Sequence, residues 1–552
     1  MEFVHLHSHF WGSYSDSALA LDEGLDRAAA LGQRAMSITD HGELAFAPRF
    51  YRAARARGMN PLLGCECYFV ENALESIARD DAHRNHLVLI AKNAEGYRNL
   101  VALTSDAWLD RCFRGNRGTV DWSLLEKYHR GLACSSGCFY GSFPLTTIRH
   151  GRLAGERELR RYLDIFGGDF HPEMSSLGYE EQKISNAAIL DLAPRYGLNA
   201  VVTNDVHYAH PEDWIAHDII VKTRFGKVSD FSVSTRTIWL KGLDEMRALG
   251  FPDSCLANTA GVAADCDLRL PPFPVSPPVL HGSPGADLQA LASRCAEAVA
   301  GMAPGLRRTR LMKRLAREAA GVGALGLGGL VLAVADLSFF FRRTRGRVRA
   351  AGGGWEGSAL FRLLGISGDA PLSPAIPDPA SLSPLAVSCP DPGTAANLLL
   401  ERLGPERACR VAEFVPIRGG DALRATAEVL GVPKRERVKG LRAVRGEDSV
   451  AGNLAGSRAC AAFCAANPLV ARWAGKIEGI PRISRPSPGA LVLTNGPLRA
   501  LLPLKRIGGT VFSQYDAEGV SIAGFCTVEL TDADKSRAVK VEGSPVPVGL
   551  DF

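Results

Sequence analysis

Short apolar runs alternate with amphipathic stretches along the first 275 residues of the chain. The amphipathic stretches, such as LDEGLDRAAALG (21–32) and FYRAARARG (50–58), predict helices. The apolar runs predict strands, and they lie at residues 3–7, 35–39, 61–69, 86–90, 131–136, 170–174 and 200–208. This alternation predicts an α/β domain built on a parallel barrel or a doubly wound sheet. In such folds the chemistry gathers at the carboxyl ends of the strands.

Two proline-rich stretches interrupt the pattern. Residues 271–288 are rich in Pro, Gly and Ser, which indicates a domain boundary near residue 275. A second such stretch covers residues 369–385, and short helix and strand signals resume from about residue 394. A chain of 552 residues is long enough for a few domains.

The composition is that of a globular protein. Hydrophobic residues make up 46% of the chain and charged residues 22%, which is enough for a sizeable core. The apolar run Ala319–Ala335 is short and glycine-rich, so it predicts a buried helix and no membrane span. The opening Met-Glu-Phe-Val leads straight into a strand with no signal-peptide pattern, so we expect a cytoplasmic protein whose 13 cysteines are reduced.

The net charge of +5 is mild, but the basic residues cluster between Arg307 and Arg349. Such clustering suits a phosphate backbone, and solvated helix faces explain it equally well. The candidates for contact with nucleic acid are Arg342, Arg343, Arg345, Arg347 and Arg349.

Potential metal ligands fall at the ends of successive predicted strands. They are His5, His7, Asp16, His41, Glu66, His86, Cys138, Asp205 and His207. His5 and His7 are two residues apart on a strand, so their side chains lie on the same face and can bind one ion. Asp205 and His207 repeat this arrangement, and Glu66 could bridge two cations with its two oxygens.

Mixed nitrogen, oxygen and sulfur ligands suit Zn²⁺ or Mn²⁺, and Mg²⁺ is the remaining alternative. A cluster that holds two or three divalent ions around a phosphate predicts hydrolysis of a phosphate ester. From this chemistry alone, a small phosphomonoester fits as well as DNA.

Five stretches carry a family resemblance: FVHLHSH, SITDHGELAFAPRFYRAA, PLLGCECYF, HLVLIAKNAEGYRNL and AVVTNDVHYAHPEDWIAHD. Residues 1–275 resemble the polymerase-and-histidinol-phosphatase (PHP) domain of bacterial DNA polymerase III alpha subunits. The resemblance implies a distorted (β/α)7 barrel with three metal ions. By the family pattern, the first ion is held by His5, His7, Glu66 and Asp205, the second by Glu66, His86 and Cys138, and the third by Asp16, His41 and His207. It also implies a DNA 3′ end as the substrate.

The C-terminal half resembles the palm and thumb of the same family. The resemblance implies a smaller α+β palm-like module with a helical thumb-like insertion, divided as palm-like residues 276–395, thumb-like residues 396–477 and palm-like residues 478–552. Where the family places paired catalytic Asp residues, this chain has SLSPLAVSCPDPGTA with Asp391 alone. The third family Asp corresponds to Glu529, a family Lys to Thr527 and a family His to Ser487, and the loop AAGGGWEGS lacks its Arg.

These observations favour a metal-dependent phosphoesterase, a 3′–5′ exonuclease on DNA, whose polymerase site has been lost. We expect His5, His7, Glu66, Asp205 and His207 to carry the catalysis. The expected partners are DNA 3′ ends, in single strands or primer-templates, and a replication or repair polymerase. The alternatives are a working or error-prone polymerase of the alpha type and an accessory subunit that catalyses nothing.

Overall fold

The computed structural model describes residues 2–81, 83–113, 117–224, 235–270, 276–343, 346–350, 355–366, 372–373, 375–378 and 383–532. The chain forms two compact units. Unit 1 comprises residues 1–274, 411–486 and 497–524, and unit 2 comprises residues 275–410, 487–496 and 525–552. The units divide the chain differently from the four predicted segments, because two later stretches belong to unit 1. The palm-like and thumb-like assignments stay predictions.

The first 274 residues alternate helices and strands. The helices are α1 (Leu21–Ala30), α2 (Ala47–Ala56), α3 (Ala73–Ala78), α4 (Ala94–Asp110), α5 (Trp122–Tyr128), α6 (Ser142–His150), α7 (Arg152–Phe166), α8 (Gln182–Arg195), α9 (Trp214–Thr223), α10 (Leu243–Arg247) and α11 (Asp253–Ala264). The strands are β1 (Ala35–Ile38), β2 (Asn60–Phe69), β3 (Asn85–Ala91), β4 (Cys112–Phe113), β5 (Arg117–Val120), β6 (Leu132–Ser135), β7 (Phe170–His171), β8 (Glu173–Met174) and β9 (Val201–Val202). Short 3₁₀ turns cover Gly167–Asp169 and Pro211–Asp213.

Helices, with two strands and a 3₁₀ turn, dominate residues 275–410. They are α12 (Pro284–Ala300), α13 (Leu306–Ala324), α14 (Gly328–Arg343), β10 (Arg349–Ala350), the turn Trp355–Gly357, α15 (Ala359–Leu364), β11 (Leu385–Cys389) and α16 (Pro392–Leu403). The remaining elements are β12 (Ala408–Pro416), α17 (Gly419–Val429), α18 (Lys434–Leu441), α19 (Val450–Gly456), α20 (Arg458–Ala466), α21 (Pro468–Ile477), β13 (Pro481–Leu493), α22 (Leu498–Leu501), β14 (Leu504–Ile507), β15 (Thr510–Asp516), α23 (Ala517–Ile522) and β16 (Cys526–Asp532).

The central sheet of unit 1 has the strand order β4-β5-β2-β3-β6-β7, with β1 also paired to β2. The pairs β1–β2, β2–β5 and β6–β7 are parallel, whereas β2–β3 and β3–β6 are antiparallel. Strands β8 and β9 form a separate parallel pair. The sheet is therefore mixed, where the alternation of elements predicted a parallel one.

The predicted strand at residues 3–7 carries no strand assignment, although its backbone is paired at several points. His5 O accepts a hydrogen bond from Ser37 N–H, and His7 O accepts one from Val206 N–H. An isolated bridge joins Ser8 and Val206. The first segment thus lies between β1 and the residues that follow β9, which places its end beside the ends of other strands.

Among the described residues of unit 1, two apolar clusters position the site. One lies within the sheet domain and includes Leu6, Leu62, Val88 and Val201. The other joins α9 to the later helices, where Ile219 and Ile220 pack with residues such as Trp473 of α21. Residues 411–486 are therefore part of the hydrophobic core of unit 1, in keeping with their place in the unit.

In unit 2, β16 lies between β11, which it pairs in parallel, and β13, which it pairs antiparallel. The core of this unit combines α14 with the sheet and contains Leu330, Val334, Trp355 and Val528. The apolar run Ala319–Ala335 is divided between α13 and α14, and most of α14 is buried. Among the described residues, no single helix is long and apolar enough to cross a membrane; α13 and α14 meet that test as a pair, bent by 119°.

Candidate metal centre

Three histidines alternate along the first segment, and the structure brings the second and third to the centre. His7 and His9 lie with their Nε2 atoms 3.1 Å apart, and both rings are fully buried. A strand advances about 3.3 Å per residue, so His5 lies about 7 Å further back. Its Nε2 instead contacts the carbonyl oxygen of Lys241 at 2.9 Å. The expected pair His5 and His7 is thus replaced by His7 and His9.

Glu66, near the end of β2, is the point on which the other side chains converge. Its Oε1 lies 3.0 Å from His7 Nε2 and 2.9 Å from His86 Nδ1, while its Oε2 lies 2.6 Å from His41 Nδ1. One oxygen therefore faces the rings of the first segment and β3, and the other faces the loop after β1. A carboxylate placed in this way would be able to bridge two cations.

A first group of donors surrounds the His7–His9 pair. Asp205 Oδ1 lies 3.4 Å from His7 Nε2 and 3.2 Å from His9 Nε2. The donor atoms of His7, His9 and Glu66 all lie within 4.8 Å of one another. Asp205 has a φ of +48°, a left-handed conformation that is uncommon for residues other than glycine. Such strain is retained where the surrounding structure fixes it, and here it accompanies a carboxylate aimed at the centre.

The second group, Glu66, His86 and Cys138, is brought together as the sequence predicted. Cys138 Sγ lies 3.8 Å from Glu66 Oε1 and 3.7 Å from His86 Nδ1. Burial raises the pKa of the Cys138 thiol well above its usual range, and the charges of Asp205 and Glu66 add to the effect. A divalent cation would reverse this balance, since a coordinating thiol is deprotonated.

The third group contains Asp16, His41 and His207, and also His217 of α9. Asp16 Oδ2 lies 3.1 Å from His41 Nε2, and Asp16 Oδ1 lies 3.4 Å from His217 Nε2. Donor atoms of Asp16, His207 and His217 lie within 4.8 Å of one another, as do those of His9, His41 and His207. Asp16 thus lies beside His41, His207 and His217, and its role as a metal ligand stays a prediction.

Several buried polar atoms at this centre lie close to one another but form no well-directed hydrogen bond. They are Glu66 Oε2, Asp205 Oδ1, His41 Nδ1 and His217 Nε2. Leaving a buried donor or acceptor without a partner costs about 1–3 kcal/mol, so native structures rarely do so. Divalent cations would satisfy these atoms together, because carboxylate oxygens, imidazole nitrogens and a thiol are their usual ligands. The residues present therefore fit a metal centre.

The electrostatic environment of the centre shifts the pKa values of its histidines in opposite directions. Burial disfavours the charged form of His7, but the carboxylates of Glu173, Asp205 and Glu66 outweigh it and raise the pKa of His7 well above its usual value. For His9, burial dominates, and with the neighbouring His41 and His207 it lowers the pKa to about 3. For Glu66, burial opposes ionisation, yet His86, His7 and His41 hold its pKa well below its usual range. Without ions, His7 is therefore protonated beside ionised carboxylates, and binding of a metal would release this proton because an imidazole must be neutral to act as a ligand.

Glu173, the first residue of β8, is a functional residue that the sequence did not reveal. Its Oε1 lies 2.7 Å from His7 Nδ1 and accepts the Thr203 hydroxyl at 2.5 Å, and its Oε2 accepts the Ser135 hydroxyl. Glu173 therefore fixes the orientation of the His7 ring, as carboxylates behind metal-binding histidines do.

A cavity of about 520 Å³ opens onto the centre. Donors of the cluster form one side of it, including Asp16, His41, His86, Asp205 and His207. Tyr68, Tyr140, Tyr179 and Arg117 are among the residues that line the rest. Arg117 lies over the Tyr68 ring at 4.9 Å, and Phe139 stacks on Tyr179 at 4.6 Å. The cavity thus combines metal ligands with aromatic and cationic walls.

In unit 2, the position compared with a polymerase carboxylate has apolar neighbours. Glu529 is an exposed residue of β16, and it is in register with Ala386 of β11 and with Ala490 of β13. Asp391 lies beyond β11, where its carboxylate caps α16 by accepting the Thr394 N–H at 3.1 Å. Among the described residues, both strands that flank Glu529 therefore present a methyl group beside it.

The predicted arginines for nucleic acid lie at the end of α14 and in the residues after it. Arg342, Arg343, Arg347 and Arg349 are exposed, and Arg345 lies outside the described residues. Arg343 lies over the Phe339 ring at 4.8 Å. Their role in binding DNA stays a prediction.

Comparison with known proteins identifies the first part of the chain. Residues 5–176 match the family model described as "PHP domain". The chain is 34% identical to DNA polymerase III subunit alpha of Treponema pallidum over 50% of this chain and 24% of that protein. It is 28% identical to the Borreliella burgdorferi subunit over 79% of this chain and 39% of that protein.

The similarity to the Thermus aquaticus alpha subunit is 26% identity over the whole of this chain and 53% of that protein. The chain thus spans about half the length of the curated relatives it matches, or less. The aligned region has 646 positions for the 552 residues of this chain, so the relative contains segments that this chain lacks. Residues 5–176 thus match the PHP domain family, within a chain that is similar to bacterial DNA polymerase III alpha subunits.

Proposed function

We propose that this protein is a metal-dependent phosphoesterase that removes nucleotides from DNA 3′ ends. The observation that carries the proposal is the convergence of buried carboxylates, imidazoles and a thiol around Glu66, at the wall of an open cavity. Structural metal sites are usually closed by protein ligands, whereas catalytic sites leave a position for water and substrate. This cluster faces a cavity large enough for a small ligand.

The proposed ligand sets follow the three groups of donors. The first ion takes His7, His9, Glu66 and Asp205, the second takes Glu66, His86 and Cys138, and the third takes Asp16, His41 and His207, with His217 beside it. When bound, such ions activate a water molecule and neutralise the charge of the phosphate. Glu173 keeps the His7 ring in place, and Arg117 adds a positive charge at the cavity wall for the phosphate backbone.

The lining of the cavity favours a nucleotide over a small phosphomonoester. Tyr68, Tyr140 and Tyr179 present aromatic rings to the same space as the metal ligands. Bases stack on such rings without regard to sequence, and each stacking contact contributes about 1–3 kcal/mol. A small phosphomonoester without a base would leave these rings unused.

We further propose that the polymerase-like half has lost nucleotide transfer and binds DNA or a replication or repair partner. Two-metal polymerisation needs several carboxylates around the ions. The neighbours of Glu529 in the sheet are Ala386 and Ala490, which supply none. The exposed Arg342, Arg343, Arg347 and Arg349 are the proposed DNA contacts, and replacing Arg343 and Arg349 by Ala should weaken DNA binding and reduce its dependence on salt.

A nuclease assay on end-labelled single-stranded and duplex DNA, with Mn²⁺ or Zn²⁺, tests the proposal. We expect mononucleotides to be released from the 3′ end, and more slowly from a chain with a blocked 3′ end. His9→Ala should remove this activity, and primer extension with Mg²⁺ and deoxynucleotides should give no product. A protein that is loaded with metal and inert on every ester would instead be an accessory subunit. Faster turnover of short phosphomonoesters would indicate a small-molecule phosphatase.

A further inference from the structure

Lys505, on the β14–β15 hairpin, is a fully buried lysine. Its side chain is 2% exposed, and its Nζ lies 2.6 Å from Oε1 of Glu43, which is 4% exposed. The ammonium group also lies over the rings of Trp108 at 4.9 Å and Tyr14 at 5.2 Å. Burying two charges is expensive even when they are paired, so such a pair is weak evidence of stabilisation and calls for another explanation.

Two of the partners of Lys505 belong to the two segments that carry the third group of donors. Glu43 lies two residues after His41, and Tyr14 lies two residues before Asp16. The ammonium group therefore contacts both segments, through Glu43 and Tyr14, which are not themselves donors of the cluster. It adds to the contacts that join these two segments, such as those of Ser13, whose hydroxyl accepts the His41 N–H at 3.2 Å and donates to Asp40 at 2.8 Å.

The hairpin makes further contacts with the His41 segment. Gln514 of β15 accepts the Leu44 N–H at 2.8 Å, and its own amide donates to Leu504 O at 3.1 Å. On the same segment, the Trp108 indole donates to Gly42 O at 2.8 Å. Gly42, Glu43 and Leu44 are thus each bound by a side chain, and for Glu43 and Leu44 that side chain belongs to the hairpin.

We infer that Lys505 is a positioning residue for the ion held by Asp16 and His41, and that the β14–β15 hairpin is a working part of the hydrolase. This inference rests on the proposed metal centre. Residues 497–524, which the sequence comparison placed in a polymerase palm, then have a function that does not involve nucleotide transfer. Partners behind a metal ligand typically change metal affinity 10–100-fold when they are removed.

The test measures cobalt binding to the full chain by equilibrium dialysis, together with the thiolate-to-cobalt absorption band from Cys138. Lys505→Met removes the charge but leaves Glu43 ionisable and buried, so the double variant Glu43→Gln/Lys505→Met, with a neutral pair, is measured beside it. Lys127→Met is the control for loss of a lysine–carboxylate pair elsewhere in the same unit: the more exposed Lys127 pairs with Asp106 at 3.0 Å, and Asp106 belongs to none of the donor groups.

We expect the Lys505 variants to bind their weakest cobalt ion about three- to tenfold less tightly than the parent, a smaller effect than that of groups bonded directly to a ligand, with the thiolate band unchanged. The control should bind cobalt as the parent does. A general loss of folding would weaken the thiolate band as well, which separates positioning from structure. Parent-like cobalt binding by the folded double variant would overturn the inference. A parent protein that takes up no cobalt would overturn the proposed function and the inference together, whereas one that binds cobalt without hydrolysing DNA would overturn the proposed function alone.

Discussion

The carboxylates of Glu66 in unit 1 and Glu529 in unit 2 lie in opposite environments. In unit 1, Glu66 is buried and has three imidazole nitrogens within 3.0 Å of its oxygens. In unit 2, Glu529 is exposed on its strand, and the positions opposite it on both neighbouring strands are alanines. Similarity to a polymerase family therefore does not tell which site of the family a chain retains. Among the described residues, the density of donors differs between the two carboxylates, and this difference supports the proposal that the cations are held in unit 1.

The largest expected effect is the difference in hydrolytic activity between His9→Ala and His5→Ala. His9→Ala should lower kcat/KM for hydrolysis more than about a hundredfold, since it removes a donor from the first ion. His5→Ala should change the activity per folded molecule little, because the His5 ring contacts Lys241 O and none of the cluster. Activity at saturating Mn²⁺, corrected for the folded fraction, measures both. If His5→Ala lost activity and His9→Ala did not, the pair His5 and His7 that the sequence suggested would be the correct one.

Metal removal should destabilise unit 1 and leave unit 2 unchanged. A single ion at a hundredfold excess over its dissociation constant contributes about 2.7 kcal/mol to the folded state. Without ions, the buried carboxylates and imidazoles around Glu66 lose the ligand that satisfies them. Thermal unfolding with and without a chelator, followed by limited proteolysis to assign each transition, measures the shift. Equal stability in both conditions would mean that the cluster binds no metal in solution.

A smaller effect should come from Glu173→Gln. The amide keeps the size of the side chain but removes the charge that holds the His7 Nδ1–H at 2.7 Å. Metal affinity should fall about tenfold, and excess Mn²⁺ should restore the activity. Glu158→Gln, a largely buried glutamate outside the donor groups, is the control. An unchanged affinity in Glu173→Gln would show that packing alone orients His7.

The sequence located most of the donors because they lie at the ends of apolar runs, as His41, Glu66, His86, Cys138 and Asp205 do. It could not choose between the two pairs in His5-Leu6-His7-Ser8-His9, since both have the same spacing. That choice depends on how far the first segment extends past Thr39 and Val206, which is set by tertiary pairing. His217 was missed because it lies on α9 and at no strand end. The antiparallel pairing of β2, β3 and β6 could not be predicted, because a buried strand has the same apolar run in either direction.

The smallest expected effect is that of Glu529→Ala, which tests the other side of the comparison. Glu529 is exposed, and no described donor group includes it, so its removal should alter neither hydrolysis nor cobalt binding. Surface substitutions of this kind usually change stability by less than about 0.5 kcal/mol. Nuclease rate, primer extension and thermal unfolding of Glu529→Ala beside the parent provide the measurement. A large loss in any catalytic assay would mean that other carboxylates complete a second metal site around Glu529, because Ala386 and Ala490 cannot.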